Sequence, residues 1–94
     1  MNNSLVKTLI KAIVVQQQSI IGPLAIEQAN HVSGLKISSD IHSIEYDRDG
    51  TQVLSDLVHQ YETLFGQASV EACKESVRQI LGEVDQKEVP VFLK

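Results

Sequence analysis

The chain has 94 residues, of which 43% are hydrophobic and 21% charged, with a net charge of -4. That composition excludes a disordered chain, which is poor in apolar residues and rich in net charge. It suits one folded domain, 1-94, that buries roughly 60 to 70% of its unfolded surface. The acidic balance, with 8 basic against 12 acidic residues, argues against binding nucleic acid, because attraction to phosphate backbones needs clustered Lys and Arg.

Ser4 is suited to cap a first helix, in which Leu5, Leu9, Ala12, Ile13, Gln16 and Ile20 recur at steps of three or four. Val6, Ile10, Val14 and Ile21 widen the stripe, so this helix is expected to be covered on two sides, by other helices or by a second subunit. Lys11 interrupts the apolar run at the N-terminus, which leaves it shorter than the hydrophobic region of a signal peptide. No stretch is apolar enough to span a bilayer.

Gly22-Pro23 stops this helix. Proline lacks an amide hydrogen and clashes with the carbonyl four residues back, whereas it fits the first turn of a new helix. The sequence therefore predicts two helices joined by a Gly-Pro kink, the second running from Pro23 to about Val32 and closing near Gly34. From Leu35 to Tyr46 apolar and polar residues partly alternate, predicting a short β-hairpin that turns around Ser38-Ser39-Asp40.

Asp49 is placed to cap a third helix, with Gln52 three residues on. Its stripe of Val53, Leu54, Leu57, Val58, Tyr61, Leu64 and Phe65 is the clearest in the chain, and Leu57, Tyr61, Leu64 and Phe65 are expected in the main core. Gly66 ends it. A fourth helix, Gln67 to Leu81, presents Val70, Cys73, Val77, Ile80 and Leu81 inward and Glu71, Lys74, Glu75 and Arg78 outward, and stops at Gly82. Residues 83-94 read as an apolar tail held extended by Pro90. The fold class is mainly α, an α+β arrangement with minor β and about four helices.

Glu45, Asp47, Asp49 and Asp56, with Gly50 among them, imitate the oxygen spacing of a calcium loop. Position 1 is Glu rather than Asp and position 12 is Asp rather than Glu. A turn followed by a helix cap accounts for the same residues. His31, His42, His59 and Cys73 show no zinc spacing. His31 is placed to meet the C-terminal dipole of the second helix, His59 to lie on a solvated border, and Cys73 to act as a small hydrophobe.

No nucleophile elbow, zinc-protease motif, phosphate loop or dinucleotide glycine pattern occurs, so neither a catalytic residue nor a cofactor is expected. A single cysteine suits the reducing cytoplasm. Ile20 to Ala25 and Tyr61 to Gly66 resemble helical accessory modules of bacterial signalling proteins. The likeness covers two short patches, transfers no site residues, and implies a regulatory or assembly role.

The reading that follows is a non-enzymatic cytoplasmic interaction module with a protein partner, a homo-oligomer whose interface includes Leu5, Leu9, Ile13, Ile20, Val91 and Phe92. The alternative is a small-ligand or calcium sensor, with a site formed between the Gly22-Pro23 kink and the loop from Glu45 to Asp56.

Overall fold

The computed structural model describes residues 2–83 and 90–93, and it is mainly helical, with four helices and one two-stranded antiparallel hairpin. Helix α1 spans Asn3–Ile21. Its cap is Asn2, whose Oδ1 accepts the Leu5 N–H at 2.7 Å, so Ser4 lies inside the helix instead of capping it. Two suitable caps stand within one turn, and the chain uses the earlier one, gaining the hydrogen bonds of the extra residues.

The buried face of α1 is Val6, Leu9, Ile10, Ile13, Val14 and Gln17. It is rotated from the expected stripe, since Gln17 is inside while Ile20 is exposed. α1 is the central element and packs against α2, α3, α4 and the second strand, which is the two-sided coverage that its broad apolar stripe requires.

Gly22 stops α1 with φ 69° and ψ -146°, a backbone region that side chains on Cα resist. Helix α2 follows as Leu24–Ala29. It ends sooner than its apolar pattern suggests because Asn30 turns toward the hairpin. The Asn30 Oδ1 accepts the Ile37 N–H at 2.7 Å, and its Nδ2 donates to the Ile37 carbonyl at 3.0 Å. One amide side chain thereby satisfies both main-chain groups of a strand residue, an arrangement open to Asn because it carries donor and acceptor together.

Strands β1, Leu35–Ile37, and β2, Ile44–Tyr46, pair with Leu35 opposite Tyr46, Lys36 opposite Glu45 and Ile37 opposite Ile44. Leu35, Ile37 and Ile44 face the core. Gly34 enters β1 with φ 79°, where a Cβ would collide with the Asp47 carboxylate and the Arg48 side chain. The guanidinium of Arg48 then fastens this turn to the next helix, donating from Nε to the Ser33 carbonyl at 2.7 Å and from Nη2 to Asp56 Oδ2 at 2.9 Å.

Helix α3 is Gly50–Phe65, capped as expected by Asp49, whose Oδ2 accepts the Gln52 N–H at 3.1 Å. Gln52 does not complete a reciprocal capping box; its side chain donates to Asp56 Oδ1 at 3.0 Å. Val53, Leu54, Leu57, Val58 and Tyr61 are buried, but Leu64 and Phe65 are not, at 47% and 39% exposed. Both stand in the last turn of α3, at the end of the bundle, where Gly66 stops the helix.

Helix α4, Gln67–Leu81, buries Ser69, Val70, Cys73, Val77 and Leu81 and lies against α1 and α3. The tail is not wholly extended. Val91–Leu93 form a 3-10 turn, the Leu93 N–H bonds the Pro90 carbonyl at 3.0 Å, and Leu93 joins the core. Val89 and the side chain of Val91 lie outside the described residues.

Candidate functional site

The four acids of the calcium-like spacing are occupied with separate structural tasks. Glu45 stands in β2 and meets Lys7 Nζ at 3.8 Å, Asp49 caps α3, and Asp56 receives Arg48 and Gln52. Asp47 belongs to the turn, where its N–H donates to the Gly34 carbonyl at 3.0 Å. The Arg48 guanidinium holds the Asp56 carboxyl below its ordinary range, with help from Gln52. Among the described residues no three His, Cys, Asp or Glu side chains are gathered to hold a metal ion.

His59 lies on the exposed border of α3, its Nδ1 3.6 Å from Glu62 Oε1. His31 is exposed just beyond α2, where its main-chain N–H donates to the Gln28 carbonyl at 3.1 Å. Cys73 is fully buried and receives a hydrogen bond from Gln17 Nε2 at 3.6 Å. Burial pushes its thiol up to about 11, against a lesser downward effect of Gln17. A thiol held protonated in this way is a poor nucleophile.

The Gly22-Pro23 kink opens a cleft of about 540 Å³ lined by Gln18, Gly22, Pro23, Ile26, Glu27 and Ser39. No residue from Glu45 to Asp56 lines it, so the kink and the acidic loop do not form one cleft as expected.

The six residues expected at an interface divide. Leu9 and Ile13 are fully buried in the chain's own core, and no surface of theirs is left for a partner. Leu5 and Phe92 are half-buried and pack against that core, while Ile20 is 58% exposed. The signal that separates Ile20 from Leu9 is its position in the last turn of α1, beside the kink.

Ile20 has company that helical spacing alone conceals. Gln60 Nε2 donates to Gln28 Oε1 at 3.0 Å, and Tyr61 Oη donates to the Ala25 carbonyl at 2.7 Å, so the second half of α3 lies beside α2. Leu24 follows Ile20 directly across the kink, and Leu64 and Phe65 stand directly before the start of α4. Gln17 Nε2 also reaches the Ser69 carbonyl at 3.3 Å, bringing the start of α4 to the end of α1. Ile20, Leu24, Leu64 and Phe65, all exposed, thus gather at the end of the bundle where α1 passes into α2 and α3 into α4. This end carries no charge over residues 12–26 and 63–70.

The fold and this surface define the class: a small helical domain with a minor hairpin and an exposed apolar cluster at one end. No family model, curated protein or solved structure matches the chain. Among the described residues no helix is long and apolar enough to cross a membrane.

Proposed function

We propose that the chain is a non-enzymatic interaction module that self-associates through the apolar end of its bundle, as a regulatory or assembly adaptor in the cytoplasm. The observation that carries this reading is the exposure of Ile20, Leu24, Leu64 and Phe65 together at that end. Clustered apolar side chains on a small domain favour a protein contact over solvent.

A second copy is the partner favoured by the charge pattern. Two chains of net charge -4 repel one another, and contact costs least where neither brings a charge, as at residues 12–26 and 63–70. An isologous contact sets the same patch on both copies. The interface is then carried by the ends of α1 and α3, with Leu9 and Ile13 serving the core beneath.

Sedimentation equilibrium over a micromolar concentration series tests this function. A mass that rises with concentration in the native chain, and falls back to the monomer in Leu64→Glu, is the expected result. A monomer at every concentration overturns it.

A further inference from the structure

The hairpin holds a second surface, distinct from the bundle end. In an antiparallel ladder, alternate residue pairs exchange hydrogen bonds across the strands, and the pairs between them turn their N–H and C=O groups outward. Here the Ser38 N–H donates to the Ser43 carbonyl at 3.0 Å and the Asp47 N–H to the Gly34 carbonyl at 3.0 Å. With Lys36 opposite Glu45 between them, these are the bonded pairs. Ile37 with Ile44, and Leu35 with Tyr46, are the outward-turned pairs.

The two edges of the hairpin are treated differently. On β1, Asn30 takes both main-chain groups of Ile37, and the Leu35 N–H donates to the Val32 carbonyl at 3.1 Å. On β2, the outward N–H and C=O groups of Ile44 and Tyr46 have no such partner among the described residues. Beside the Ile44 end of this edge, and short of Tyr46, lies a groove of about 380 Å³ whose far wall is α1, with Lys7, Thr8 and Lys11 facing His42, Ile44 and Glu45.

The charges of the groove oppose those of the chain as a whole. Lys11 is exposed and, like Lys36 on β1, has no acidic partner among the described residues, whereas Arg48, Lys74 and Arg78 are each paired with an acid. Lys7 meets Glu45 only at 3.8 Å, and the Glu45 side chain is 70% exposed. Against this stands one acid in the groove, Glu45, in a chain of net charge -4.

We propose that the groove between α1 and β2 is a docking site for an extended acidic segment of a partner protein, which adds as a third strand to the hairpin. Its main chain pairs with Ile44 and Tyr46, as edge-strand addition requires. Acidic side chains on its alternate positions reach Lys7 and Lys11, which selects an acidic segment over a basic one. The site does not depend on association through the bundle end.

NMR titration of the isotope-labelled chain with a short peptide alternating Glu and Val tests the proposal, beside a control peptide alternating Lys and Val. The acidic peptide is expected to shift the amide signals of Ile44 and Tyr46 and to slow their hydrogen exchange. Lys11→Glu, at an exposed position, should weaken binding about tenfold with the fold intact, and Lys7→Glu should act in the same direction.

Unmoved Ile44 and Tyr46 amides overturn the proposal, as does equal binding of both peptides or unchanged affinity in Lys11→Glu. If the two amides shift with protein concentration and no peptide, the edge is taken by a second copy, and the acidic segment is likewise ruled out.

Discussion

Tyr61 donates its hydroxyl to the Ala25 carbonyl at 2.7 Å, and its ring is completely enclosed. A residue of α3 is thereby tied to the first turn of α2, and the relation explains how the six residues of α2 are held although such a short helix is unstable by itself. Burial raises the phenol's pKa well above its ordinary value, so the hydroxyl stays a donor. Tyr61→Phe retains the ring and removes the bond, and should cost about 1 kcal/mol in urea denaturation. Tyr61→Ala should cost about 3 to 5 kcal/mol, in the range for deleting a large buried aromatic side chain.

Leu57 and Leu64 share one apolar stripe and differ in burial, at 0% and 47% exposed. Leu57→Ala should destabilise by about 2 to 5 kcal/mol through lost contacts and a cavity. Leu64→Ala should change stability by under about 1 kcal/mol. Chemical denaturation of the two variants checks the contrast, and equal costs would contradict the exposure of the last turn of α3.

The buried thiol predicts a pH dependence of stability. In the unfolded chain Cys73 ionises near its ordinary value of 9.0, whereas in the folded chain burial keeps it protonated up to about 11. Above pH 9 the unfolded state therefore loses the proton first, and stability falls as pH rises. This contribution is whole below pH 9, shrinks between 9 and 11 and is gone above that. The loss amounts to a few kcal/mol. Denaturant melts across this window should show a steeper decline in the native chain than in Cys73→Ala. The raised phenol of Tyr61 acts in the same direction above about pH 10, chiefly through its burial, with a lesser effect of Cys73 that Cys73→Ala removes.

Asn30 closes the outer edge of β1 through two hydrogen bonds to Ile37. Asn30→Ala should cost about 1 to 3 kcal/mol, because both strand groups lose their partner in a partly buried setting. Asn30→Asp keeps an acceptor for the Ile37 N–H and should lose less. Hydrogen exchange at the Ile37 amide is the local check, with faster exchange in Asn30→Ala than in Asn30→Asp.

The elements were legible where a residue's own chemistry decides the structure. Gly22-Pro23 breaks the helix in any context, Asp49 caps α3, Gly66 ends it, and the partial alternation from Leu35 to Tyr46 does form a hairpin. Burial was less legible, because it depends on the length of neighbouring elements. Spacing places Leu64 and Phe65 on the stripe of Leu57 and Tyr61, but nothing in that spacing states that the last turn of α3 lies at the end of the bundle. The same holds for Ile20, which continues the pattern of Leu9 and Ile13 past the end of its cover. Leu64 and Phe65 were therefore hidden among residues assigned to the core, whereas Ile20 stood among those expected at an interface. The Asn30 bond to Ile37 was hidden because it joins a helix end to a strand, with no local pattern to mark it.

Contact between copies at Ile20, Leu24, Leu64 and Phe65 is the central claim, and isotope-filtered NMR on a mixture of labelled and unlabelled chains measures it most directly. Magnetisation transfer between copies should connect the methyl groups of Ile20, Leu24 and Leu64 with the Phe65 ring, and it should vanish in Leu64→Glu while the signals of Leu57 and Tyr61 keep their positions. Transfer confined to another surface, or no transfer at concentrations where the chain is associated, would contradict the account.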